Sequence, residues 1–505
     1  MAIYSFSPFG YDGSLVNVGV DLRRGIPAVD IVGLADVFVR GSRENVRSAI
    51  INSGFGFPSE RVLISLSPAD LYKEGGEFDL AVALAILAEK NGTVSEKVLV
   101  MGGLCQDGTV QPVRGISAAL QAAVENGIKY AIVPYSMDAD YPEGIKVARI
   151  GTLKEAFERL LSLEGFSEHN ENSDTGIEFA SIPEGNLDTI EGVDGLKFAM
   201  AVAVAGRHHL LAYGAPGCGK TMALQHMPEL LPKLTKDEIP TVNRIYSLAG
   251  LSGMDCVVNH TRPFRMPHQT ATVEGMCGGG PRCLPGEITL AHNGVLFLDE
   301  AAEFRSGVLQ MLRVPVESGQ VTLSRAGRST SYPARFQLAM ATNTCPCGNY
   351  GVKDRLCLCS ARSIDLYWKK FGGPLLDRIT IRYDMNTQNG MEVSKWSLEA
   401  LRRMIRIAWE RQYKRQGKLN QDLMPSDIPA YCKMSDEARK LLDKAELNRD
   451  LSPRALNNIT KLARTIADMH DTTNDLFPED GADSLIQAGD MATALQLYGK
   501  LPVEL

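Results

Sequence analysis

The sequence predicts an α/β protein in three parts: a small N-terminal α/β domain, a central α/β domain built on a phosphate-binding loop, and a helical C-terminal domain. Three observations carry this. A short apolar strand at 209–213 runs straight into Gly214-Ala215-Pro216-Gly217-Cys218-Gly219-Lys220-Thr221, and a second apolar run at 295–298 ends in Asp299-Glu300. The stretch 166–180 (FSEHNENSDTGIEFA) is polar, acidic and almost free of branched apolar residues, the composition of an exposed linker. From about residue 390 the apolar spacing turns helical, over 396–415, 435–447, 452–469 and 491–497.

These signals divide the 505 residues into 1–165, a linker 166–180, a phosphate-loop domain 181–395 and a helical lid 396–505. In the first part, apolar runs at 15–20, 62–66, 98–101 and 130–134 alternate with helical patterns at 79–90 and 115–126, as in a small α/β domain. In the second, a helix at 195–205, the strand and the glycine-rich loop follow one another, which is the context such a loop requires. Internal repeats and low-complexity tracts are lacking.

Composition excludes several classes. No run approaches the roughly 18 apolar residues of a membrane span. The N-terminus, MAIYSFSPFG, has no basic region followed by an apolar stretch, so the cytoplasm is the expected compartment. The formal charge of −7 is no general sign of nucleic-acid binding, and any such activity must rest on local basic surfaces.

Within the loop, glycines at 214, 217 and 219 let successive N–H groups point at the β- and γ-phosphates of a nucleotide, while Ala215, Pro216 and Cys218 complete the turn. Lys220 supplies a point charge, and the Thr221 hydroxyl offers a place for Mg²⁺. Asp299 would complete the Mg²⁺ shell at the end of a core strand, and Glu300 would orient the attacking water. Phosphoryl transfer also needs a polar group near the γ-phosphate and positive charge against the transition state. Asn343, after the apolar strand at 336–341, Arg378 in GPLLDR and Arg454 in LSPRAL are the candidates. A lone arginine is more often a solvated or ion-paired surface residue, so spacing alone does not select the last two.

Four of the ten cysteines, Cys345, Cys347, Cys357 and Cys359, crowd into fifteen positions, enough for one structural, tetrahedral Zn²⁺. The alternative is a loop of metal-free thiols. The stretch 401–420 carries Arg402, Arg403, Arg406, Arg411, Lys414, Arg415 and Lys418 around an apolar stripe, so it is either a solvated basic face or a nucleic-acid contact. His208 and His209 lack carboxylate or thiol neighbours in sequence and are taken as structural.

Longer motifs add a resemblance. PFRMPHQ (263–269), GGGPRCLPGEITLAHNGVLFLDEAAEF (278–304), TNTCPCGNYG (342–351) and GGPLLDRI (372–379) resemble the magnesium-chelatase-like AAA+ ATPases of the YifB/ComM family, and the resemblance spans essentially the whole chain. It implies a hexameric ring with ATP between subunits, Asn343 as sensor 1, Arg378 as the arginine finger and Arg454 as sensor 2. It also implies a hairpin at 319–333, turning at Ala326-Gly327, that presents Arg325 and Arg328 to the ring channel. There they would grip a DNA backbone without reading sequence. Residues 55–87 and 108–134 resemble the Lon-protease-like (S5-like) fold, but the peptidase dyad positions hold Glu77 and Ser117, so a non-peptidase module for assembly or binding is expected. Departures from the family pattern, Gln269, Ala301-Ala302 and Thr344, touch no group with a role in hydrolysis. The function so implied is ATP-driven DNA translocation of the kind that extends branch migration during natural transformation; the alternative is a protein-remodelling or metal-insertion ATPase.

Overall fold

The computed structural model describes residues 2–33, 37–68, 76–91, 96–135, 141–168, 176–181, 186–325, 328–352, 355–386, 396–449, 451–470 and 485–502. Strands β1 (Ala2–Ser7), β2 (Ser14–Arg23), β3 (Val29–Val32), β4 (Arg61–Ser67), β5 (Lys97–Val100), β6 (Tyr130–Pro134) and β7 (Lys146–Ile150) form a mixed seven-stranded sheet in the order β3-β4-β2-β1-β5-β6-β7. Alternate side chains along a strand serve opposite faces. On β5, Val98 and Val100 join the core made with α1 (Val37–Asn52), α2 (Asp79–Asn91) and α4 (Leu153–Ser162). Leu99 faces α3 (Ile116–Glu125) in the other layer. Helix α2 is apolar all round, and Leu80 to Ala88 are at most 7% exposed, so it is a core helix.

The phosphate loop belongs to a second, all-parallel sheet. Its elements are α5 (Asp194–Gly206), β8 (Leu210–Tyr213), α6 (Lys220–Gln225), α7 (Ile239–Ala249), β9 (Phe264–Arg265), β10 (Val295–Leu298), α8 (Arg313–Ser318), the hairpin β11 (Gln320–Arg325) and β12 (Arg328–Pro333), β13 (Gln337–Thr342), α9 (Ala361–Lys369) and β14 (Ile381–Asp384). The sheet order is β9-β10-β13-β8-β14, and every pair is parallel. Every residue of β8, β10 and β13 is buried, as expected of parallel strands covered on both faces. The phosphate loop, Asp299 and Asn343 therefore all emerge at the carboxyl edge of one sheet.

Helices α10 (Leu398–Gln416), α11 (Asp436–Arg449), α12 (Pro453–Asp468) and α13 (Ala488–Leu497) follow. Helix α5 lies between the sheet and this group, and Trp409 Nε1 of α10 donates to Val204 O at 3.2 Å. Asp468, 0% exposed, closes a polar network within the helical part. It accepts from Arg415 at 2.7 Å on both oxygens, from Arg464 Nη2 at 2.7 Å and from Asn420 Nδ2 at 2.9 Å. His208 is fully buried between Gln421 Oε1 and Thr465 Oγ1, and burial pulls it down to about 3, so it is a neutral structural residue. His209 is likewise neutral, pulled down to about 4 by burial, and accepts from the Leu338 amide.

This network changes the meaning of the basic stretch in α10. Arg402 donates to Glu229 O and Ala180 O, Arg411 to the carbonyls of Asp468 and His470, Arg415 to Asp468, and Lys418 to Asp427. The guanidinium of Arg406 lies 5.6 Å from the Phe179 ring centroid. Much of the charge that periodicity assigns to a solvated or nucleic-acid-binding face is instead engaged by partners within the helical part, and Arg402 reaches Glu229 and Ala180 outside it, because α10 is wedged between α5 and α12.

The N-terminal sheet docks on α7 and on the hairpin. Tyr11 N donates to Thr330 Oγ1 at 2.9 Å, and the Tyr11 and Tyr332 rings meet edge to face at 5.7 Å. Arg244 of α7 lies 4.3 Å over the Tyr11 ring and donates to Tyr11 O. Gly10 has φ +57, and a Cβ there would lie 2.3 Å from Thr330, so the close approach requires glycine. The Ser117 amide donates to the Ser247 hydroxyl of α7, while Glu77 is buried at 6% exposure near β1.

Burial would raise the Asp468 carboxyl, but hydrogen bonds from Arg415 and the charges of Arg464 and Arg415 hold it below 3.8. Its contribution to stability is thus complete above about pH 4 and is lost as pH falls through the depressed folded value. Asp468→Ala leaves two buried guanidiniums without their anion and should lower the unfolding free energy by about 3–5 kcal/mol. An unchanged midpoint in a denaturant titration at pH 7 would contradict this account of how the helical part is fastened.

Candidate nucleotide site

The carboxyl edge of the parallel sheet gathers the phosphate-loop residues. Gly217 and Gly219 have φ +78 and +86, the left-handed region that the tight turn of the loop requires, and the space beside Gly217 is open. Gly214 is fixed for another reason: a Cβ there would lie 2.6 Å from Met385 Cβ. The Ala215 amide is held by Asn386 Oδ1 at 3.2 Å, a contact that sequence reading did not anticipate. Its only signal was a polar residue two places after a core strand.

Lys220 is 7% exposed and donates to Gly214 O at 3.0 Å, Ala215 O at 2.7 Å and Asn343 Oδ1 at 3.4 Å. Thr221 Oγ1 donates to Asp299 Oδ1 at 2.7 Å. Strand β10 thus delivers its carboxylate to the helix that follows the loop, and two oxygen donors fit for a hard divalent cation stand side by side. Glu300 takes the left-handed conformation, φ 47 and ψ 47, which turns its exposed side chain away from the strand direction; its amide donates to Asp299 Oδ1. Asn343 is clamped from both neighbours: Thr342 Oγ1 pairs with Tyr367 Oη at 2.9 Å and Thr344 O accepts from Trp368 Nε1 at 3.0 Å.

Arg378 and Arg454 are elsewhere. Strands β8 and β14 run parallel with Leu210 opposite Ile381 and Tyr213 opposite Asp384. Arg378 precedes β14, whereas the phosphate loop follows β8, so four strand residues, about 13 Å, separate them along the sheet. Arg378, 11% exposed, donates to Glu317 Oε2 of α8, and Arg454 Nη2 donates to Glu317 Oε1 at 3.0 Å. Both line a cavity of about 460 Å³ at the amino edge of the sheet, with Arg207, Arg335 and Lys461 against Glu317 and Asp422. The two arginines meet each other and do not meet the phosphate loop of their own chain. Glu317 was not legible in the sequence, where it is one acid among many.

The four clustered cysteines converge. Their sulfurs all lie within 4.8 Å of one another, with Cys345 to Cys347 at 3.4 Å, Cys345 to Cys357 at 3.7 Å and Cys347 to Cys357 at 3.6 Å. Metal–sulfur bonds of about 2.3 Å in a tetrahedron place sulfurs about 3.8 Å apart, so the donor set and spacing fit one metal ion. The Tyr350 amide donates to Cys345 Sγ at 3.4 Å. A backbone hydrogen bond at Asn349 and the adjacent thiol of Cys345 pull Cys347 down to about 6, whereas Cys357, despite a backbone hydrogen bond at Cys359, is pushed up to about 12 by burial and the neighbouring thiols, and Cys359 is also raised. The loop abuts the nucleotide site, since a Cβ at Gly348, φ +79, would lie 2.6 Å from Pro216 Cδ.

Arg325 and Arg328 pair across the open end of the hairpin, and Arg325 is exposed. The turn residues Ala326 and Gly327, and the Arg328 side chain, lie outside the described residues, as does part of the linker at 169–175.

An all-parallel sheet with a glycine-rich loop after one strand and a carboxylate pair after another defines a P-loop α/β protein. Comparison with known proteins narrows this. The family described as magnesium chelatase, subunit ChlI, matches residues 186–393; subunit ChlI of Mg-chelatase matches 18–137, and magnesium chelatase, subunit ChlI C-terminal, matches 395–476. The chain is 39% identical to an uncharacterized protein of Mycobacterium tuberculosis over 76% of each chain. It is 34% identical to the uncharacterized protein YifB of Escherichia coli and 34% identical to competence protein ComM of Haemophilus influenzae, in each case over 92% of this chain and 93% of the relative. The chain belongs to the magnesium-chelatase-like AAA+ family that contains YifB and ComM.

Proposed function

We propose that the protein hydrolyses ATP at seams between identical copies and uses the energy to move DNA. The observation that carries this reading is the division of the site between two edges of one sheet. Lys220, Thr221, Asp299, Glu300 and Asn343 gather at the carboxyl edge, and Arg378 and Arg454 share Glu317 at the amino edge. A closed ring, hexameric as the family resemblance implies, sets the guanidinium edge of one copy against the phosphate edge of the next.

In that seam the N–H groups of 217–221 hold the triphosphate, and Lys220 exchanges its loop carbonyls for phosphate oxygens. Thr221 and Asp299 would hold Mg²⁺, which neutralises charge on the β- and γ-phosphates. Glu300 orients and polarises the attacking water, with Asn343 beside it, and Arg378 and Arg454 of the adjoining copy take the charge that develops on the transferred group. Similarity to a competence protein and the arginine pair at the hairpin tip support single-stranded or branched DNA as the polymer moved. Ten free thiols and ATP as fuel make the cytoplasm the compartment this reading requires. We assign Zn²⁺ to Cys345, Cys347, Cys357 and Cys359 in a structural role, since four thiolates leave no ligand position open. The match to magnesium chelatase subunit profiles supports a second reading, a protein-remodelling or metal-insertion ATPase.

Lys220→Ala and Arg378→Ala should each abolish hydrolysis, and a mixture should recover activity because about a quarter of randomly formed seams are intact. No recovery from a well-mixed sample would sink the shared site. Single-stranded DNA should stimulate the wild-type ATPase, and Arg325→Ala should reduce both that stimulation and ATP-dependent unwinding of a three-way junction; indifference to DNA would favour the second reading. Elemental analysis should find one zinc per chain, lost in the Cys345→Ser/Cys357→Ser variant, and a metal-free wild-type chain would refute the assignment.

A further inference from the structure

We infer that Glu317 is a positioning residue that latches Arg378 and Arg454 back from the seam until the β11–β12 hairpin shifts. This deepens the reading above and rests on both arginines serving a neighbouring copy's nucleotide. One carboxylate engages both guanidiniums, Arg378 on Oε2 and Arg454 on Oε1. Arg378 Nη1 donates to Pro374 O, and its Nε is buried without a partner. The guanidinium is thus held on two sides, and turning it toward a phosphate of a neighbouring copy breaks its bond to Glu317 or to Pro374. The other carboxylate of the cavity, Asp422, lies beside Arg207 and Arg335 at 3.5 and 3.7 Å. Glu317 thus stands where an anion is needed, and a polyphosphate, with more charge and more acceptors, displaces a half-exposed carboxylate.

Glu317 also sits at the foot of a lever. It lies near the end of α8, which Gly319, φ +66, turns directly into β11. Ser318 Oγ accepts from Gln320 N and donates to Val314 O, and the Ala334 amide donates to Gly319 O at 2.7 Å, so both feet of the hairpin are joined beside the latch. The six-residue strands reach about 20 Å from those feet to the arginine tip. Between tip and feet, β12 is gripped at Thr330 by Tyr11 and at Tyr332 by Cys283 O, 2.9 Å from its hydroxyl, which supplies a fulcrum. Motion at the tip is thereby transmitted to the carboxylate.

The test is the ATPase rate without DNA. Glu317→Gln should raise it about two- to fivefold, the factor expected for losing one or two partly screened ion pairs, and should shrink stimulation by DNA in proportion. Glu317→Asp, which keeps the charge, should remain close to wild type, and melting temperature controls for the fold. A lower DNA-free rate in a folded Glu317→Gln protein, or an equal rise in Glu317→Asp, overturns the latch while leaving the seam intact. A fully active Arg378→Ala protein overturns the seam reading and the latch with it.

Discussion

A parallel sheet has two chemically different edges, and in this chain each carries its own cluster of polar and charged side chains. The carboxyl edge holds the amide-lined loop, Lys220, Thr221, Asp299 and Asn343, joined by hydrogen bonds of 2.7 to 3.4 Å. The amino edge holds Arg378 and Arg454 on a shared carboxylate. Strand length fixes the distance between them, and no side chain bridges four residues of rigid core strand. Within one copy of the chain the two clusters therefore stand apart, each with its own hydrogen-bond partners.

Around this sheet the other parts act as supports. The helical region is fastened through α5, Trp409 and the Asp468 network, so that Arg454 at the start of α12 is held in a fixed relation to β14. Breaking a buried charge network is costly, so Asp468 holds α10 and α12 together within this part. The N-terminal sheet, with acidic and hydroxyl groups at the lost dyad positions, packs through Tyr11, Thr330 and Tyr332 against the very hairpin that presents Arg325. The N-terminal sheet and the hairpin are thus packed together, a contact that the N-terminal sequence does not advertise.

The cysteine loop joins the same structural logic. It follows Asn343 by two residues, is anchored through Thr344 to Trp368, and presses Gly348 on Pro216 of the phosphate loop. A cross-linked knuckle at that place would limit how far Asn343 and the loop can separate, because a tetrahedral sulfur cage tolerates little change in spacing. Its effect on the nucleotide site is therefore steric and local, through backbone contacts.

Much of this was written in the sequence. The apolar runs before Gly214, Asp299 and Asn343 specified buried parallel strands, and their carboxyl ends specified where those residues gather, since burial on both faces and strand polarity are local consequences of composition and order. The hairpin pairing of Arg325 with Arg328 was implied by the family resemblance, and the crowding of Cys345, Cys347, Cys357 and Cys359 was legible from spacing. The basic stretch in α10 was not, because a charge pattern cannot say whether arginines face solvent or carbonyl oxygens of a packed neighbour. Nor was the meeting of Arg378 and Arg454 on Glu317, which lie 61 and 137 residues from it. Sequence by itself determined the motifs and the edge of the sheet on which each strand delivers its residue. Only tertiary structure decided which distant charges share a partner, because that depends on how helices and sheet pack, and packing carries no short-range signature.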